Sequence, residues 1–351
     1  MTNSNKDDGT SLNRRDVLRL GATASAIALL DLPPGPAVAA PPPEPTGPTR
    51  GPGYVVKVHM PNMRGRFFPH AAAAKEMVER AVTALAGKAD LKDAWGLFIK
   101  KDDRVGIKIN ALGGRLAGTT KEVVDPIVEG VRAVGVPDEN IVIYDQYGAN
   151  MRGARFELQD KPGKLRIINH DVLGYEKAMT ESAGGGKGRF AKTLGWTTAV
   201  INVPVMKDHD LAGVTCAIKN MVAGNVESPP LMHRRIHTAL PHFYALEAIR
   251  GRVRLTICDG SFCLYEGGPK CQNPTTVVAH ESIYATTDPV AMDAIALEVV
   301  DELRVKNKLR TLERSGRPAT FLKVAEGLGL GIAERSRIHL ETIDLPAFVP
   351  G

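Results

Sequence analysis

Arg104-Val105-Gly106-Ile107-Lys108-Ile109-Asn110 is the stretch that decides the fold. It is short, rich in Val and Ile, and closes on a polar residue, as a buried strand does. A helical pattern follows over Thr120–Val134, and Ile141–Asp145 reads as a second strand. Working outward, Tyr54–Met60, Leu165–His170, Thr197–Val203, Arg254–Asp259 and Val277–Thr286 read as further strands. His70–Leu85, Val214–Val222, Thr238–Arg250 and Pro289–Arg304 read as helices. Such alternation predicts an α/β fold with a mostly parallel central sheet, flanking helices and loop-rich insertions. In that architecture ligands sit beyond the carboxyl ends of strands. Lys108 with Asn110, Asp145, Lys207 with His209, and Asp259 all fall there.

The amino-terminal region reads differently. Arg14-Arg15 precedes a mildly apolar run, Leu20–Leu30, and Ala37-Val38-Ala39-Ala40 supplies a small-residue cleavage site. These are the parts of a secretory signal, and the arginine pair resembles the twin-arginine (Tat) type. Eleven weakly apolar residues are too short to span ~30 Å of hydrocarbon, so no stable membrane span is expected after cleavage. Nine prolines fall between Leu32 and Gly53, which marks a tether rather than a core. The expected organisation is a signal over 1–40, a tether over 41–53, and one α/β domain over 54–345 with an insertion at about 151–194. The expected partner of the leader is the Tat export machinery, and the expected location is periplasmic. Folded export raises the prior for a bound cofactor, and the destination is oxidising.

The chain has 351 residues, of which 43% are hydrophobic and 24% charged, so it is neither disordered nor collagen-like. A net charge of +6 suits an anionic small molecule. Aromatics make up only 5% and no basic run is interleaved with them, so nucleic acid is not an expected partner.

Several segments resemble the domain of unknown function 362 family. They are Val105–Asn110, Asn140–Asp145, Asn202–His209, Cys216–Met221, Asp259-Gly260, Gly267-Gly268-Pro269 and Thr287–Asp293. The resemblance implies a fold and a site location, not a reaction. Some relatives carry an appended ferredoxin module. This chain has no Cys-x-x-Cys, so a 4Fe–4S cluster is not carried over.

Three lysines (Lys108, Lys207, Lys219) with Asn110, Asn220 and His209 would form an anion pocket. The plain alternative is a set of solvated strand ends. Asp145 and Asp259 join His209 as candidate ligands for a transition metal, or His209 and Asp259 act as base and acid. Asp288 before Pro289 reads as a helix cap, and Asp293 faces either a pocket or solvent. His233 and His237 stand four apart and would share one face of a helix as a second metal pair, without the Glu of a zinc protease motif, against the plainer reading of surface or structural histidines. Cys216, Cys258, Cys263 and Cys271 match no cluster spacing; one disulfide in the loop after the Asp259 strand is expected, against burial of Cys216 and Cys258 as small apolar groups. The leading functional expectation is an enzyme or redox protein, with an unidentified cofactor or a metal, acting on an anionic small molecule. A non-catalytic binding or accessory protein with the same pocket is the alternative, and a disulfide-held structural protein is a third reading.

Overall fold

The computed structural model describes residues 50–227 and 233–350. The leader, its Arg14-Arg15 pair and most of the tether lie outside the described residues. In chain order the first elements are β1 (Tyr54–His59), α1 (Ala71–Ala86), α2 (Leu91–Gly96), β2 (Val105–Ile109), α3 (Gly114–Ala117), α4 (Lys121–Val134) and β3 (Ile141–Asp145). Next come α5 (Gly148–Gly153), β4 (Arg166–Asn169), the short pair β5 (Thr180–Glu181) and β6 (Lys187–Gly188), α6 (Lys192–Trp196), β7 (Ala199–Val203), β8 (Val205–His209) and β9 (Gly213–Thr215). The remainder are α7 (Ala217–Ala223), α8 (Ile236–Tyr244), α9 (Glu247–Arg250), β10 (Val253–Leu264), β11 (Val277–Thr286), α10 (Pro289–Lys306), α11 (Phe321–Gly327) and β12 (His339–Asp344).

One mixed sheet organises the chain, in the order β12-β1-β11-β10-β7-β2-β3-β4, with β8 and β9 branching from β10. Pairing is parallel from β10 through β7, β2, β3 and β4. Strand β11 is antiparallel to both β1 and β10. The fold is therefore α/β with a mostly parallel sheet. From β2 the chain winds to β3 and β4 on one side, then returns to β7 on the other. The order reverses at β2/β7, and ligands bind beyond the carboxyl ends of strands at such a reversal.

Strands β2, β3 and β7 are buried at every position. That explains why they read as unbroken Val/Ile runs, since helices cover both faces of a parallel sheet. One apolar core packs Met77, Val78, Val82, Trp95, Ile127 and Val131 from α1, α2 and α4 against Ile107, Ile143 and Ile201. The other packs Met221, Leu240, Phe243, Met292 and Phe321 against Val200 and Cys258. All described residues belong to one compact unit, Val38–Gly351. No helix among them is long and apolar enough to cross a membrane.

Four expectations need correction. Val214–Val222 is not one helix: β9 pairs antiparallel with β8, and α7 begins only after Cys216. Thr238–Arg250 is broken at Leu246, whose extended backbone (ψ 143°) restarts the chain as α9. His233 and His237 do not share a helical face. Arg235, at φ −133° and ψ 44°, is non-helical and opens α8 after His233. All four cysteines are free thiols. The Sγ atoms of Cys216 and Cys258 lie 3.6 Å apart, a contact rather than a bond, and both side chains pack in the apolar core. The disulfide expected in the loop after Asp259 is absent because β10 runs on to Leu264, which makes Cys263 part of the same buried strand.

Candidate functional site

The carboxyl ends of β2 and β3, the end of β9, and α7 converge on one small cleft. Its walls are Asn110, Leu112, Asp145, Gln146, Tyr147, Asn150, Thr215, Lys219, Ala223, Gly224 and Pro269. The cavity volume is ≈ 70 Å³. At about 10–15 Å³ per enclosed water, that admits a molecule of a few heavy atoms and excludes a nucleotide. A larger recess of ≈ 360 Å³ is lined by Glu139, Asp160, Lys164 and Arg166. It lies where β3 and β4 begin, the wrong end of a parallel sheet for a ligand. Its Arg166 is already paired with Asp160 at 2.7 Å.

The three lysines expected to share a guest have different fates. Lys108, at the end of β2, is 1% exposed and donates to Ile109 O (2.6 Å), Asp145 Oδ1 (2.8 Å) and Asn220 Oδ1 (3.3 Å). Burial pushes its ammonium below the usual lysine range, and Asp145 opposes that shift. Lys207 donates to Asn110 Oδ1 (2.8 Å), Leu112 O (2.5 Å) and Ala117 O (3.1 Å). Burial brings it down to about 7. Three acceptors match the three protons of an ammonium and offset part of that burial cost. Both lysines therefore brace the protein rather than present donors to a ligand.

Lys219 is the exception. It is buried on α7, and no hydrogen bond or ion pair reaches its ammonium among the described residues. Burial lowers it to about 8, against an opposing pull from Asp210. On the same cleft wall Thr215, 3% exposed, has a hydroxyl without a hydrogen-bond partner among the described residues. A buried hydroxyl left unpaired costs about 1–3 kcal/mol, so Thr215 on the same wall as the Lys219 ammonium marks a place for a guest.

Several side chains hold this wall in place. Asp293, fully buried on α10, accepts from the amides of Ala217 and Ile218 and so fixes the start of α7. Burial raises its carboxyl to about 7. Asn220 donates to Asn202 Oδ1 (2.8 Å), tying α7 to β7. Gly224 closes the turn after α7, and a Cβ there would stand 2.4 Å from Lys108 Nζ and 2.7 Å from the Asn220 carbonyl oxygen, so any side chain forces a shift. Pro269 reaches the cleft through the adjoining Gly268, whose amide donates to Asp208 Oδ1 (2.6 Å), while Arg317 holds Asp208 Oδ2 (2.8 Å).

The expected acid–base and metal residues do not converge. Asp145 lines the cleft, but its oxygens take Lys108, the Gln146 amide (2.8 Å) and the Ala111 amide (2.7 Å). Asp259 is absent from the cleft wall. It accepts from Thr120 N (2.8 Å), Thr120 Oγ1 (2.7 Å) and Ser261 N (3.1 Å), tying β10 to the start of α4. His209 closes the hairpin turn, where Nδ1 accepts from the amides of Leu211 (3.0 Å) and Ala212 (3.1 Å). Burial and the nearby Lys219 push it down to about 2. The ring is thus neutral with its proton on Nε2, and the proximity of Asp210 at 2.8 Å is not an ion pair. His233 stacks on His209 with ring centroids 6.0 Å apart. Burial also lowers His237, which lies against the Leu211 backbone. No three His, Cys, Asp or Glu side chains among the described residues are arranged to hold a metal ion. Asp288 caps α10 as expected, accepting from Val290 N (2.9 Å) and Ala291 N (2.8 Å).

Thr215, Gln146, Tyr147, Asn150 and Pro269 were not foreseen. Gln146 and Tyr147 directly follow the β3 carboxyl end, a position the strand-end rule could have supplied. Thr215 carried no such signal, because β9 was read as helix.

A family model described as "Domain of unknown function (DUF362)" matches residues 105–298, more than half of the chain. No curated protein matches. Among solved structures, the lactate racemase apoprotein from Thermoanaerobacterium thermosaccharolyticum aligns at 12% identity with a TM-score of 0.35. The alignment covers 59% of this chain and 50% of that one, so this chain spans about half the length of that protein.

Proposed function

Since the chain belongs to the domain of unknown function 362 family, whose description names no reaction, we propose from the cleft itself that it is an enzyme acting on a small anionic molecule. The supporting observation is Lys219, a buried lysine whose ammonium has no hydrogen bond or ion pair among the described residues, on the same wall as the Thr215 hydroxyl, which has no hydrogen-bond partner there either. Lys207 lies behind the wall and adds positive potential, which a low-dielectric setting leaves poorly screened, whereas the charge of Lys108 is offset by Asp145. Asn110 uses its carbonyl on Lys207, which leaves its amide protons for a ligand carboxylate. Tyr147, 51% exposed, stands at the rim. The twin-arginine leader supports export and action outside the cytoplasm.

Calorimetry with oxalate and glycolate tests the binding step. Each should bind, and Lys219→Met or Thr215→Val should weaken binding by roughly tenfold or more, the equivalent of one charge-assisted hydrogen bond. Equal affinity in the wild type and both variants would remove the reading. Export is tested by fractionation: an Arg14→Lys/Arg15→Lys variant should stay in the cytoplasm.

A further inference from the structure

We infer that the Lys219 side-chain amine is a covalent nucleophile toward the carbonyl carbon of a short 2-oxo carboxylate, with Thr215 Oγ1 holding the carbonyl oxygen. The inference rests on the small-anion reading of the cleft and specifies its substrate class.

Elimination among the wall residues carries it. Asp145 is the one carboxylate on the wall, and both its oxygens are engaged, so it is not free to abstract a proton. The wall holds no His and no Cys. Leu112, Ala223, Gly224 and Pro269 offer no reactive side chain. Tyr147 is 51% exposed at the rim, so Lys219 is the buried reactive group that remains, and no hydrogen bond among the described residues ties up its nitrogen. Burial, which brings its pKa to about 8, leaves a useful neutral fraction near neutral pH. The amides of Asn110, Gln146 and Asn150, with the field of Lys207 behind them, suit the carboxylate end. The small cavity fits an acid of a few heavy atoms.

The step balances without an added oxidant or reductant. The Nζ lone pair forms a C–N bond to the carbonyl carbon, and the C=O π pair moves onto oxygen. A proton passes from nitrogen to that oxygen, giving a carbinolamine that the Thr215 hydroxyl can hydrogen-bond. The carbinolamine hydroxyl then leaves as water with the remaining nitrogen proton, giving a neutral imine on Lys219 that takes up a proton from bulk water.

The test uses the folded chain with glyoxylate as probe and borohydride as trap, followed by peptide mapping. Lys219 should be labelled about tenfold or more above the average surface lysine, because its lower pKa supplies more free amine at neutral pH. Glycolate, which has no carbonyl, should protect it. Lys219→Arg should lose the label at position 219 while the labelling of surface lysines stays unchanged. Binding of both acids with no label at Lys219, or a label spread evenly over surface lysines, overturns the inference and leaves the anion reading standing. Binding of neither acid removes both.

Discussion

Lys108 Nζ lies 2.8 Å from Asp145 Oδ1, and the two side chains join the ends of adjacent parallel strands inside the protein. The pair is enclosed, with side-chain exposures of 1% and 9%. Removing one partner strands the other charge in a low-dielectric site. Asp145→Ala should therefore cost about 3–5 kcal/mol in urea unfolding. A Lys108→Met/Asp145→Leu double variant should recover most of that loss, because replacing both charges leaves neither unpaired. Gly224→Ala pushes a methyl onto Lys108 and should cost about 1–3 kcal/mol by overpacking.

Lys219 predicts a trade between stability and function. Its folded pKa of about 8 lies below the unfolded value of about 10.4. Below pH 8 the unfolded chain carries the proton more favourably, so the full cost of the buried charge is present. As pH rises from 8 to 10.4 the cost disappears, and stability rises through that window. Lys219→Met should thus be more stable than the wild type at pH 7, by up to about 3 kcal/mol. The advantage should shrink by pH 10, measured as the difference in unfolding free energy. A variant less stable at pH 7 would show that Lys219 has a protein partner.

His170 and His209 are neutral when folded, lowered by burial to about 4 and about 2. Above pH 6.5 both states are neutral and the histidines contribute nothing. Below it the unfolded chain gains protons that the folded chain refuses, so stability falls on acidification at about 1.4 kcal/mol per pH unit for each ring. Asp293, raised to about 7, acts in the opposite direction over about pH 7 to 4. A His209→Asn variant should flatten the acid slope between pH 6 and 4 by about one proton. An unchanged slope would show that the ring is already charged at pH 6.

The thiols make a direct count. Denatured, unreduced protein should titrate four free thiols, and native protein should react first at half-buried Cys271. The buried Cys263 thiol, pushed up by desolvation, should stay silent until unfolding. A count of two in the denatured state would show that a bridge forms.

Local chemistry was enough to read the sheet. Val105–Ile109 and Ile141–Asp145 are fully buried strands, so their apolar runs carried the signal unaided. Asp288-Pro289 was equally legible, because a cap and its helix are neighbours in sequence. Strand-end reasoning also picks out Asn110 and Asp145, which line one cleft together with Lys219 from a helix start. Sequence could not divide the lysines. Lys108 is satisfied by Asp145, 37 positions away, and Lys207 by Asn110, 97 positions away. Lys219 meets no such acceptor among the described residues. Whether an ammonium braces the fold or faces a guest depends on which distant oxygens packing brings within about 3 Å of it, and only the tertiary structure makes that choice.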